Sequence, residues 1–149
     1  MSLEQQIQAD MKKAMKEGQK ETVLSLRTLL AKIKDERIKL RTKRELTEDD
    51  VLAVLLTAMK RHKESVEMYK KGSRTDLVQQ EETEIAILEK YLPKQLAEEE
   101  VAAIVKEVIH EVGAESIKDL GRVMGPVMRR LKGQADGKQV QNLVRRFLS

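Results

Sequence analysis

Residues 20–42 read KETVLSLRTLLAKIKDERIKLRT, and this stretch decides the fold. Val23, Leu26, Leu30, Ile33 and Leu40 fall on one face when each residue turns the chain by about 100°, which is the signature of a long amphipathic helix. Upstream, Ser2 with Gln5 reads as a helix cap, Leu3, Ile7, Met11 and Met15 supply the spacing, and Gly18 is placed to end a short first helix. Downstream, Thr47 followed by Asp50 opens a third helix whose stripe is Val51, Leu55, Ala58, Val66 and Tyr69, with Gly72 after its end. Ser73 with Asp76 starts a fourth, which runs to Tyr91 and Leu92 and stops before Pro93.

Composition agrees with that reading. A chain of 149 residues fits one ordinary domain or two small ones and excludes a large multi-domain enzyme. With one Phe, two Tyr and no Trp, the apolar material is mostly Leu, Val, Ile, Ala and Met, whereas a sheet protein would draw more on aromatics and Thr. An all-α protein is expected. The absence of cysteine excludes disulfides, iron–sulfur clusters, thiolate zinc sites and thiol catalysis. The longest uncharged apolar run, Val51 to Met59, is about half of what a bilayer span needs, and Lys12, Lys13 and Lys16 interrupt any signal-peptide pattern. These features predict a soluble, unprocessed, cytoplasmic protein with no membrane partner.

Pro93 and the acidic run Glu98, Glu99, Glu100 mark a boundary. A fifth helix, about 97–112, carries Val101, Ile104, Val105, Val108 and Val112 on one side, its acidic first turn suiting the positive end of the helix dipole, and Gly113 ends it. A short helix near Ser116 to Leu120, a helix over 121–132, a turn Gly133 to Gly137 and a last helix to Leu148 follow. The expected organisation is an antiparallel bundle of about four helices over 1–92, then a small tail domain of three to four helices over 93–149.

The net charge of +4 conceals a polarised tail. Residues 96–120 hold seven acids and two bases, a net of −5, while residues 121–149 set Arg122, Arg129, Arg130, Lys132, Lys138, Arg145 and Arg146 against Asp136 alone, a net of +6. Val123, Met124, Val127, Met128 and Leu131 form the apolar stripe of the penultimate helix, with Arg122 and Arg129 opposite; Val140, Leu143, Val144 and Phe147 face inward on the last, with Lys138 and Arg145 outward. A cationic surface on two adjacent helices suits a phosphate backbone, because each neutralised phosphate releases condensed counterions. Arg27 to Arg44 is a second basic stretch, net +6, for which solvation or a coiled surface is an equally ordinary explanation.

Catalytic patterns are weak. Gly133 to Lys138 has three residues between its glycines and Gln139 after its Lys, so it lacks the spacing of a Walker A loop. Glu107 and His110 have the spacing of half a di-iron site without the second copy such sites need. Glu81 and Glu84 share the face of Leu77, Leu88 and Tyr91, and His62 lies within the third helix's apolar stripe. Such groups either build a metal or acid/base site or pair with Lys or Arg of a neighbouring helix; structural pairing is the expectation, since buried charge is usually compensated. No cofactor, metal or small-molecule substrate is called for.

Several strings carry a resemblance. Lys60-Arg61-His62-Lys63-Glu64-Ser65-Val66-Glu67-Met68-Tyr69, Arg74-Thr75-Asp76-Leu77, Glu81, Glu84, Tyr91-Leu92-Pro93 and Gln95-Leu96 resemble the GatB/YqeY family, as do Gly121 to Met128 and Lys132 to Gly137. The resemblance covers essentially the whole chain. It implies a helical fold whose second part is similar to the C-terminal tail of GatB, a component of the glutamine-dependent aspartyl/glutamyl-tRNA amidotransferase, a carbon–nitrogen ligase in which this tail helps hold tRNA. The matching tail positions are Gly121, Met124, Gly125, Met128, Lys132, Gly133, Ala135, Asp136 and Gly137. The ligase's catalytic domains are absent, so the resemblance implies a non-catalytic module that binds tRNA, with an adaptor in an amidotransferase or aminoacyl-tRNA synthetase assembly as the alternative. Arg122, Arg129, Arg130, Lys132, Lys138, Arg145 and Arg146 are the candidate phosphate contacts. Asp136 is expected to cap the last helix, and Gly121 and Gly125 to allow close helix approach. Two positions depart from the family: Ala97, where a capping Ser is common, and Arg37, where an acid is frequent.

Overall fold

A computed structural model describes all 149 residues, and it is all-α. Four helices, α1 (Leu3–Lys16), α2 (Lys20–Leu40), α3 (Glu48–Lys71) and α4 (Thr75–Glu89), form one compact unit, Met1–Leu92. A second unit, Pro93–Ser149, holds α5 (Glu98–Val112), a single 3-10 turn at Ile117–Asp119, α6 (Leu120–Leu131) and α7 (Gly137–Leu148). No helix is long and apolar enough to cross a membrane.

In the first unit, α1 packs on α2 and α3 on α4. Short connections make each pair a hairpin. Ser2 and Gln5 form a reciprocal capping box, with the Gln5 N–H donating to Ser2 Oγ at 3.2 Å and the Ser2 N–H to Gln5 Oε1 at 3.0 Å. Thr47 and Asp50 do the same for α3. Gly18 adopts φ 70°, the left-handed conformation that ends α1 at little cost in a residue without Cβ. The core joins Ile7, Leu26, Leu29, Ile33, Val51, Leu55, Ala58, Met59, Ile87, Leu88 and Tyr91.

Three details depart from the pattern. Met15 is exposed and Ala14 is buried in its place, because successive steps of four drift around a helix by about 40° each, whereas the seven-residue step from Ile7 to Ala14 returns to the buried face. Ser73 does not cap α4: it takes φ 56°, and Arg74 is the N-cap residue, without a side-chain cap hydrogen bond. Arg37 adds nothing to an open basic surface, since its guanidinium is bonded to Glu4 of α1.

The second unit is built on valine. Val101, Val105, Val108, Val123, Val127, Val140 and Val144 are completely buried, joined by Leu131, Leu143 and Leu148. Phe147 lies at the rim, half-buried, with Lys106 Nζ 5.0 Å from its ring centroid. Ala97 lacks a capping side chain, and Glu100 supplies half of the missing box by accepting the Ala97 N–H at 3.3 Å. Pro126 stands inside α6 and withholds the N–H that would bond the Arg122 carbonyl.

Candidate nucleic-acid interface

The basic residues of the second unit divide into two sets. Arg122 reaches back to Asp119, with Nη1 3.0 Å from Oδ1, and also donates to the Val112 carbonyl. Arg130 turns to α5, where it bonds Glu111 and lies 3.7 Å from Glu107. Arg146 donates to Glu98 at 3.1 Å. Three cations of the net +6 stretch therefore neutralise acids of the net −5 stretch within one small unit. Arg129, Lys132, Lys138 and Arg145 are exposed and form no ion pair.

Helix geometry explains the division. On α6, Val123, Val127 and Leu131 face the core; Arg130, one residue before Leu131, borders α5, while Arg129 points away. On α7, Arg146 borders α5, and Lys138 and Arg145 lie opposite the buried Val140 and Val144.

The turn between α6 and α7 is fixed from outside as well as within. Lys132 ends α6 with φ 42° and Gly133 follows with φ 82°, two successive left-handed residues. The Gln134 carbonyl accepts the Leu96 N–H at 2.9 Å, and the Gly133 carbonyl accepts the Gln95 side-chain amide at 2.9 Å. Ala135 is buried beneath. These bonds hold Lys132 and Lys138 on the two sides of one short turn, which joins two helices and is not a strand-to-helix phosphate loop.

Two structural expectations are corrected. Asp136 occupies the N-cap position of α7 with extended backbone, but its exposed carboxylate makes no capping hydrogen bond. Gly121 and Gly125 do not admit a neighbouring helix: a Cβ at Gly121 would meet nothing within 4 Å, and one at Gly125 only the Arg129 guanidinium at 3.5 Å. Both lie on the flank of α6 turned from the valine core. Their effect is to leave that flank bare and to let Arg129 fold back along its own helix. It is Gly137 that sits near another helix, since a Cβ there would stand 3.6 Å from the Met128 methyl group.

Asp119 organises the entry to α6, a role whose local signal is the Ser116-x-x-Asp119 spacing. Its carboxylate accepts the backbone N–H of Glu115 at 2.9 Å and of Ser116 at 3.3 Å, and these bonds, then Arg122, hold its pKa below the ordinary aspartate value.

In the first unit the polar residues of the core-facing stripes are joined to one another. His62 Nδ1 lies 2.5 Å from Glu81 Oε2, and the buried Ser25 hydroxyl donates to Glu84 Oε1 at 2.5 Å. The partners are thus His and Ser, not the Lys or Arg that charge compensation suggests. The Tyr91 hydroxyl donates to Asp10 at 2.5 Å, and burial, reinforced by that carboxylate, pushes its pKa up. No three His, Asp or Glu side chains converge to hold a metal ion, and Glu107 and His110 are both exposed.

Comparison with known proteins places this architecture among relatives. The family profile described as Yqey-like protein matches residues 4–148. A Pyrenophora tritici-repentis protein named altered inheritance of mitochondria protein 41, mitochondrial, is 30% identical over 133 residues, covering 87% of this chain and 71% of its own. A glutamyl-tRNA(Gln) amidotransferase subunit from Thermococcus gammatolerans is 44% identical over 55 residues, which are 34% of this chain and 9% of the archaeal protein. An uncharacterised Schizosaccharomyces pombe protein is 35% identical over 81 residues, 54% of this chain and 64% of its own.

Proposed function

The chain belongs to the Yqey-like family, and from that premise we propose that it is a non-catalytic module that binds tRNA through the second unit. The observation that carries this reading is the surplus of charge. After Arg122, Arg130 and Arg146 are spent on Glu98, Glu107, Glu111 and Asp119, Arg129, Lys132, Lys138 and Arg145 remain exposed and unpaired. Unpaired cations on a rigid helical frame suit phosphates, whose counterions they release. With Phe147 half-buried under Lys106, the unit offers little for base stacking, so recognition is of backbone shape. The flank of α6 is bare at Gly121 and carries only the Arg129 guanidinium at Gly125, so a phosphate backbone that approaches it meets a cation and no bulky apolar side chain. The relation to part of a tRNA-dependent amidotransferase supports tRNA as the nucleic acid, in the cytoplasm or, by the name of the fungal relative, in mitochondria.

Binding of tRNA to the full chain, measured across a salt series, tests the reading. Arg129→Ala with Arg145→Ala should weaken binding roughly tenfold and lower the salt slope by about 1.5, whereas Arg122→Ala with Arg146→Ala should change both less. Absence of binding at low salt, or equal effects of the two variants, overturns it. The second reading, an adaptor in an amidotransferase or synthetase assembly, is favoured by the match to a component of such an enzyme, and co-purification of protein without RNA would select it.

A further inference from the structure

The four free cations of the second unit stand on unlike supports. Arg129 and Arg145 lie within α6 and α7, whose backbone bonds fix their positions. Lys132 is the residue that ends α6 and Lys138 is the second of α7, so both border the turn, which contains Gly133 and opens with two left-handed residues in succession. The two lysines carry like charge, and Asp136, which lies between them in sequence, pairs with neither. Such a turn has little of its own to keep it in one conformation. The restraint comes from residues 93–96. Leu96 packs against the valine core, and its N–H donates to the Gln134 carbonyl at 2.9 Å. Gln95 is exposed, and its side-chain amide donates to the Pro93 carbonyl at 3.1 Å and to the Gly133 carbonyl at 2.9 Å. A side-chain amide nitrogen has two hydrogens, and both are engaged here.

An exposed amide bonded to carbonyls that water could also serve adds little to global stability. Its effect is on the freedom of the turn, because two adjacent carbonyls, Gly133 and Gln134, are held by two adjacent residues, Gln95 and Leu96. A loose turn would have to be ordered when Lys132 and Lys138 met phosphates, and that ordering would be subtracted from the affinity; a turn already held avoids the loss. Resting on the reading of the second unit as a tRNA-binding module, we propose that Gln95 is a positioning residue for that surface. It touches no phosphate itself, and by holding Gly133 it orders Lys132 and Lys138 before the RNA arrives. Arg129 and Arg145, carried by the helix bodies, do not depend on it. A merely structural role has a different consequence: loss of the amide would loosen the whole unit and weaken all four cations alike.

Gln95→Met keeps the length of the side chain and removes both donors without adding charge. Binding of end-labelled, unfractionated tRNA to the full chain is read by fluorescence anisotropy at low salt. Gln95→Met is measured in the native chain and in two backgrounds, Lys132→Gln with Lys138→Gln and Arg129→Ala with Arg145→Ala. Amide hydrogen exchange at Leu96 and Gln134 is followed in parallel, and urea midpoints check global stability. The expected result is a weakening of about fivefold in the native chain and in the double-arginine background, against less than about twofold in the double-lysine background, where the residues it positions are gone. Exchange at Leu96 and Gln134 should quicken while the urea midpoint stays nearly unchanged. Equal weakening in all three backgrounds, or none in any, overturns the proposal. So does weakening with unchanged exchange, since Gln95 would then touch the RNA directly. A native chain that binds no tRNA overturns the reading of the second unit and the proposal together, whereas tRNA binding without the selective loss overturns the proposal alone.

Discussion

The two units hold together by different means. The first is built on two long helices, α2 and α3, with a core of mixed shapes in which Met59, Ala58 and Tyr91 stand among leucines and isoleucines, and with polar bonds at Ser25–Glu84, His62–Glu81 and Tyr91–Asp10. The second uses short helices around seven buried valines and keeps its charge pairs at the surface. Valine loses side-chain freedom in a helix, and helices of 12 to 15 residues are marginal alone, so the second unit depends on tertiary packing more than on helix propensity. The second unit's core contains no polar side chain, whereas in the first unit Ser25–Glu84 and Tyr91–Asp10 join one hairpin to the other beside the shared apolar core, and His62–Glu81 ties α3 to α4.

Core substitutions should separate the units most widely. Val127→Ala should destabilise by about 2–3 kcal/mol and Val127→Ile by about 1–3 kcal/mol, because close-packed valine tolerates neither a cavity nor an added methylene. Met59→Leu in the first unit should cost under about 1.5 kcal/mol, since a flexible site repacks. Urea midpoints of the full chain measure all three; equal costs for Val127→Ile and Met59→Leu would erase the contrast. The polar bonds come next. Ser25→Ala removes the donor to Glu84 and should cost about 1–2 kcal/mol, while Arg130→Ala, which breaks an exposed pair, should cost less than about 1 kcal/mol. A larger effect at Arg130 would mean that the second unit also relies on charge to hold its shape.

The smallest effect is expected in the pH dependence. Asp119 is held below the ordinary aspartate value by the Glu115 and Ser116 amides, so its stabilisation is present above the unfolded pKa near 3.8 and is lost as pH falls through the lower folded value. Asp50 shares that sign in the first unit, mainly through Arg44. Denaturation midpoints followed from pH 6 to about pH 2 should fall less steeply in Asp119→Asn and in Asp50→Asn than in the native chain.

Much of the fold is legible in the chain because its signals are local. Gly18 and Gly113 end helices by left-handed backbone that few other residues adopt, and the boxes at Ser2 and Thr47 close over three residues. Ser73 shows where local pattern fails: the turn after α3 needs φ 56° there, which removes Ser73 from the capping position. The candidate interface was less legible. Seven bases follow from counting, but whether Arg129 or Arg130 is free depends on which side of α6 meets α5, and a shift of one residue on a helix decides it. For the same reason spacing marks Gly121 and Gly125 as a contact only when a second helix lies on their side, and none in this unit does.

Lys132 has an awkward place in the turn. It holds φ 42°, beside a Gly133 that adopts the same hand without strain. Lys132→Gly should raise stability by a few tenths to about 1 kcal/mol, yet under the tRNA-binding reading it removes one of four free cations. A library selected for thermal resistance and the same library selected for tRNA capture should therefore rank this substitution in opposite order, which makes the position a single-residue gauge of which pressure has shaped the turn.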